Sequence, residues 1–192
     1  MLQFGVDLSD PLSAADEMTK MMNVMAAGAQ QGAAEVPQVS DAIVAAGVAA
    51  SGAKLSFEET NSAIQVLATG GKYGAEAGTA LRNSLALLQK QTGPGEAQLK
   101  AMGLTVKELG DTLTTQGLQP TLVKLGEGFN KIGTDAEKNA ALFQLFGSEN
   151  AAAMGILMRN TDMMSDLTTK MTGTNTAFEQ ATVNAGSMKS AL

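Results

Sequence analysis

Apolar positions recur along most of this chain at three- and four-residue intervals rather than at every second position, and glycines interrupt the pattern often. That period predicts helices near 11–31, 37–52, 57–69, 75–91, 95–102, 120–132, 135–146, 149–160, 162–171 and 175–190. The starts carry capping chemistry. Asp10 precedes Pro11, an N-cap before proline at the first helical position. Ser56 with Glu59, and Thr134 with Glu137, match the S/T-x-x-E capping box. The stops fall at Gly32, Gly52, Gly70, Gly71, Gly103, Gly133, Gly147 and Gly173. The stretch 104–119 is the least helical: Leu104-Thr-Val106 reads as extended, and 111–117 as a turn or irregular loop. No fixed-period repeat is present. The expected fold is all-α, a compact bundle of about eight to ten short helices with Gly-rich connections.

The apolar stripes say how these helices pack. In the third, Ile64, Leu67 and Ala68 line one face below Phe57 and Thr60; in the fourth, Ala77, Leu81, Leu85 and Leu88 recur at helical spacing. Leu142, Phe143, Leu145 and Phe146 form a dense apolar knot, the largest expected aromatic contribution to the core. Small-xxx-small spacings occur at Gly28/Gly32, Gly70/Gly74 and Gly74/Gly78, which in helices this short read as caps and tight crossings. Met18, Met21, Met22 and Met25 make an i, i+3, i+4, i+7 stripe, and Met154, Met158, Met163 and Met164 form a second group. Met fills irregular core gaps, and it also builds adaptable partner-binding faces.

Composition removes most chemistry. The 192 residues include no Cys, His or Trp, only 4% aromatic and 17% charged residues, and a core must come from the 44% hydrophobic fraction. Thiol and His-based nucleophiles, disulfides and the usual zinc, haem and iron–sulfur sites are excluded, and no metal or other cofactor is expected. The net charge of −6 runs against nucleic-acid binding. Met1 to Ser9 shows neither the basic nor the apolar region of a signal peptide. The longest nearly apolar run, 42–53, falls short of the roughly 20 residues a membrane span needs.

Phosphate-loop and catalytic motifs fail on inspection. Gly70-Gly-Lys72 is followed by Tyr73 rather than Ser or Thr; Gly126-x-Gly128 leads to Lys131 with no preceding strand; Ser51-x-x-Lys54 lacks its companion motifs. Glu58 and Glu59 lie in a helix's first turn, where they complement the macrodipole, and Asp10, Asp135 and Asp162 also sit at helix starts. No catalytic constellation assembles, and the chain reads as a non-enzyme.

One stretch is specific. Leu55-Ser-Phe-Glu-Glu-Thr-Asn-Ser-Ala-Ile-Gln-Val-Leu-Ala-Thr-Gly-Gly-Lys-Tyr-Gly-Ala-Glu-Ala-Gly-Thr-Ala-Leu-Arg-Asn83 resembles the core of bacteriophage tail tape-measure proteins, with their L-S-x-E-E-T…L…G…G-x-x-A-G-T-A-L-R pattern. The resemblance extends upstream through Met22-Asn-Val-Met-Ala-Ala-Gly-Ala and Val39-Ser-Asp-Ala-Ile-Val-Ala-Ala-Gly47, and downstream through Leu99-Lys-Ala-Met-Gly-Leu-Thr-Val106, Leu118-Gln-Pro120 and Ala141-Leu-Phe-Gln-Leu-Phe-Gly147. It covers roughly 18–170, which leaves 1–17 as a lead-in and 171–192 as a C-terminal helix running toward a longer parent chain. The chain departs from the pattern at 107–117, where family members carry a clear turn.

The resemblance implies a structural module acting in tail assembly and tail-length determination inside the tail tube of a virion, assembled in the bacterial cytoplasm of a phage or prophage host. It implies tail-tube and tail-tip proteins and tail assembly chaperones as partners, self-association in the tail, and membrane contact only during genome ejection. Its motif and packing positions here are Gly78, Thr79, Ala80, Leu81, Arg82, Phe146 and Gly147. Arg82 and Asn83, with Met18, Met21, Met22 and Met25, are the candidate partner contacts; for Arg82 a structural role, snorkelling or capping a neighbouring helix, is the competing reading. A continuous helix of 192 residues would reach about 290 Å, and the Gly stops forbid one, so the segment is expected not to be the ruler itself. Gly-rich helices should also open at modest cost, which suits passage through a narrow tube. The alternative is a membrane-active helical protein, a secreted pore-former or translocation-associated, resting on 42–53 and the Gly spacings. A muralytic fragment is disfavoured by the missing His and Cys.

Overall fold

A computed structural model describes residue 4 and residues 9–90 and 93–182. Among the described residues the chain is all-α. Its helices are α1 (Pro11–Gln31), α2 (Val36–Gly52), α3 (Phe57–Thr69), α4 (Gly74–Gln89), α5 (Pro94–Ala101), α6 (Val106–Gln116), α7 (Leu118–Asn130), α8 (Asp135–Arg159) and α9 (Thr161–Met171). A further helical run covers 176–182; the rest of the helix expected to 190 lies outside the described residues, as do position 91 and most of Met1 to Ser9.

The caps form as read. The Asp10 carboxylate accepts from the Leu12 and Ser13 amides. In the Ser56 and Thr134 boxes the cap oxygen accepts from the amide of Glu59 or Glu137, whose carboxylate accepts from the cap residue's own amide. Glycine breaks even the longest helix. Gly147 in α8 has φ 70° and ψ 167°, which ends one helix and starts another.

Three expectations are corrected. The stretch 106–116 is helix rather than loop. Thr105 and Glu108 supply a further capping box, and Leu109 and Leu113, one turn apart, are buried. The Thr hydroxyls are absorbed by carbonyls a turn back, as Thr112 donates to Glu108 and Thr115 to Asp111. Second, α3 is not one-faced: every residue from Thr60 to Ala68 is buried, Asn61, Ser62 and Gln65 included. Third, the apolar knot divides, since Leu145 and Phe146 are in the core while Phe143 is 55% exposed. The aromatic pair lies elsewhere, Phe4 standing edge-on to Phe57 with ring centroids 5.2 Å apart.

α3 is therefore the central element, touching α1, α2, α4, α8 and α9. α2 lies along α4 in the most extensive helix pairing of the fold. The side chains between them are small on one side and branched on the other: Ala42, Ala46, Ala50 and Ala53 are fully buried, as are Leu81 and Leu85. α5, α6 and α7 add a leucine layer, with Leu99, Leu109, Leu113, Leu118, Leu122 and Leu125 almost wholly buried. Each such side chain contributes about 1.5–3 kcal/mol by leaving water.

Candidate functional site

The segment 55–83 that carries the family resemblance comprises the end of the α2–α3 turn, all of α3, a Gly turn and most of α4. Its residues divide by the work they do. Leu55 is buried beneath the Ser56 cap. The Glu59 carboxylate serves two helices: one oxygen accepts from the Ser56 amide and the other from the Leu118 amide at 3.2 Å, the first residue of α7. Gly117 admits that contact. Its φ is +96°, and a Cβ there would meet Glu59 Oε1 at 2.1 Å.

One turn further on, Asn61 donates to the Val24 carbonyl at 2.9 Å and to Met171 Sδ at 3.2 Å, tying α3 to α1 and α9. Gln65 grips the main chain of Ala34 from both sides: its Oε1 accepts from the amide at 2.7 Å and its Nε2 donates to the carbonyl at 3.0 Å. Thr168 of α9 donates to the Ser62 hydroxyl at 2.8 Å. These contacts explain Gly28 in α1 and Gly32 just past its end. A Cβ at Gly28 would lie 2.4 Å from Asn61 Nδ2, and one at Gly32 2.2 Å from Gln65 Oε1. Sequence reading passed over Asn61 and Gln65. The available signal was a pair of amides four residues apart on one helix.

In α4 the motif becomes steric. A Cβ at Gly78 would meet the Ala42 carbonyl oxygen at 2.2 Å and its carbonyl and α carbons at 2.8 Å, so the α4 backbone rests directly on the α2 backbone. Leu81 is fully buried and Ala80 nearly so. Ser84, one turn on from Ala80, is buried with a hydroxyl that has no hydrogen-bond partner.

The outer side of α4 forms one wall of an open groove of about 390 Å³, lined by Lys72, Ala75, Glu76, Thr79, Ala80 and Asn83 and closed by Glu149 and Asn150 from α8. The break at Gly147 turns α8 so that these last two residues reach α4, and buried Phe146 anchors the turn. Thr79, Ala80, Asn83 and the segment after Gly147 thus come together. Arg82 does not join them: it is exposed on α4 and makes no side-chain hydrogen bond or ion pair among the described residues, so it caps no neighbouring helix. The methionine stripe is split, with Met21 buried, Met25 half-buried, and Met18 and Met22 exposed on α1. Met154 and Met164 are core, with Met158 and Met163 packed against it.

Lys72 pairs with Glu76 at 2.5 Å within the groove. Among the described residues no cluster of three acidic side chains is arranged to hold a metal ion, and no helix is long and apolar enough to cross a membrane.

The described residues thus form an all-helical bundle with a small-residue crossing, a buried amide clamp and an open groove. The chain belongs to the family described as phage-related minor tail protein, whose model matches residues 1–147. It is also 30% identical over 145 residues to a protein of Escherichia phage P2 described as a probable tape measure protein. That match takes in 74% of this chain and 17% of the relative, so the chain spans about a sixth of the relative's length. No solved structure matches it.

Proposed function

We propose that this chain is a non-enzymatic structural module of a tape-measure protein, acting in tail assembly and in setting tail length from within the tail tube. The observation that carries the reading is the similarity to the P2 protein together with the family match. The fold agrees with a module rather than a ruler. Its longest unbroken helix, α1, has 21 residues, about 32 Å, and α8 is broken at Gly147. The acidic charge suits a protein that shares a tube with DNA without binding it. Tail-tube and tail-tip proteins and assembly chaperones are the proposed partners, met through the α4–α8 groove with Asn83 at its rim and through exposed Arg82, Met18 and Met22. The glycines inside its helices favour unfolding for passage through the tube, and an unfolding midpoint above about 90 °C would contradict that part of the reading.

Antibody to this chain, applied to purified particles from the source, tests the reading. Signal only after particle disruption is the expected result. Absence from particles, with signal in the cell supernatant or membranes, overturns it.

A further inference from the structure

We propose that residues 174–182 form a strap that opens and closes as one unit on an intact bundle, hinged at Gly173 and latched to α1 by Asn23. The inference does not rest on the tail-assembly reading, and its test uses purified protein, so the two fail separately.

The bundle ends sharply before the strap. Met171, the last residue of α9, is fully buried, and its Sδ accepts from Asn61 Nδ2 at 3.2 Å. Two residues on, Gly173 has φ +68°, and no atom beyond its chain neighbours lies within 4 Å of where a Cβ would stand. From there to Thr182 only Thr176 is buried, and only Thr174 and Ala177 are half-buried. The strap also carries hydrogen bonds of its own. The Thr176 amide donates to the Thr174 hydroxyl at 3.2 Å, the Glu179 amide to the Asn175 carbonyl at 3.1 Å and the Thr182 hydroxyl to the Phe178 carbonyl at 2.9 Å.

Among the described residues, the hydrogen bonds that leave this unit end on one atom. Asn23 Oδ1 accepts from the Ala177 amide at 2.9 Å and from the Phe178 amide at 3.4 Å. Those amides lie in the first turn of the helical run 176–182, where donors have no partner inside the helix. Asn23, 4% exposed on α1, is thus an N-cap supplied to a helix 154 residues further along the chain. The turn 173–175 forms one wall of an open groove of about 430 Å³, whose other sides include Asp16, Thr19, Lys20 and Asn23 of α1 and Glu58 of α3. Little apolar surface holds the strap shut, so the latch carries most of the closed state. Releasing it uncovers Thr176, withdraws one wall of the groove and leaves α9 anchored at Met171. A load on the strap is therefore met by the two bonds to Asn23 before it reaches the core.

Native-state hydrogen exchange of the full chain tests the strap. The Ala177 and Phe178 amides should exchange roughly tenfold or more faster than the amides of α3, at a rate that low urea does not raise, because the opening exposes little surface. Asn23→Ala should speed those two amides by about a further tenfold. Gly173→Ala should speed them several-fold by straining a left-handed conformation without a clash. That position is exposed and leaves α1 untouched, so it carries the test if Asn23→Ala does not fold. The chain has no cysteine, so nitroxides on Gln30→Cys and Gln180→Cys, both at exposed positions, follow the strap directly. Their distance distribution should gain a second, broader component in either variant. Exchange of Ala177 and Phe178 at the rate and urea dependence of the α3 amides overturns the proposal, since the strap would then open only with the bundle. So does exchange at these amides that neither variant changes, or a distance distribution indifferent to both.

Discussion

α3 and the α2–α4 crossing are neighbours in the fold and are held by opposite means. At the crossing, Gly78 meets the Ala42 backbone with no side chain between, and alanines fill the remaining space. There the sequence specifies an absence of atoms. Around α3, Asn61, Gln65 and Glu59 reach out to main-chain groups of α1, the α1–α2 turn and α7, and there the sequence specifies particular donors and acceptors. The first kind of joint has no room for even one added carbon. The second fails when a buried partner is left alone, whatever the size of the replacement.

The largest expected effect tests the steric joint. Gly78→Ala should cost about 3 kcal/mol or more, at the upper end for overpacking, and Gly78→Leu should prevent folding, since the obstacle is backbone that cannot swing aside. Gly126→Ala, inside α7 with open space at the Cβ position, is the control and should stabilise by about 0.5–1 kcal/mol. Urea melts of the two alanine variants with opposite signs would separate packing from glycine flexibility. Equal signs would break the comparison from the steric side.

Next is the polar joint. Gln65→Ala should cost about 2–3 kcal/mol, because it strands the amide and carbonyl of Ala34, a buried residue. Protection of the Ala34 amide against hydrogen exchange should fall in parallel. Unchanged protection would mean that Gln65 is not what shields it.

Ser84 sharpens the contrast from inside the steric joint. Its buried hydroxyl has no partner, so Ser84→Ala should leave stability level or raise it by up to about 1 kcal/mol. A loss of that size would show that α4 uses polar contacts as α3 does.

The smallest effect concerns pH. Side-chain and then backbone hydrogen bonds from Thr105 hold the Glu108 carboxyl below its usual range, and backbone and then side-chain bonds from Thr134 do the same for Glu137. A depressed folded-state pKa gives stability that is complete above the unfolded-state value and is lost as pH falls through the folded one. Melting temperature should therefore begin to decline below about pH 5. The decline should be shallower in the Glu108→Gln/Glu137→Gln variant, which keeps the box geometry without a titrating group.

Chain punctuation was legible because it is local. Asp10 with Pro11, Ser56 with Glu59, and Thr134 with Glu137 cap helices within four residues of themselves, and Gly147 breaks α8 through its own φ. The Thr105 box was equally local, but threonines and Gly110 obscured it; Leu109 and Leu113, packed by the rest of the fold, tip that segment to helix. At the candidate site, Gly78 could be singled out as small and mid-helix, whereas its contact with Ala42 could not be read from spacing. Arg82 and Met21 show the same boundary, since identical helical periodicity leaves one in solvent and the other in the core.

The sequence by itself determined the class of fold, the helix ends and the absence of cysteine and histidine chemistry, because each depends on residue identity or on neighbours within one turn. Only the tertiary structure decided that α3 would be buried on every side, that Asn61 and Gln65 would clamp distant backbone, and that α2 would leave Val44 and Val48 in water. Those outcomes depend on which other helices arrive at each face, and that is settled by the packing of the whole chain.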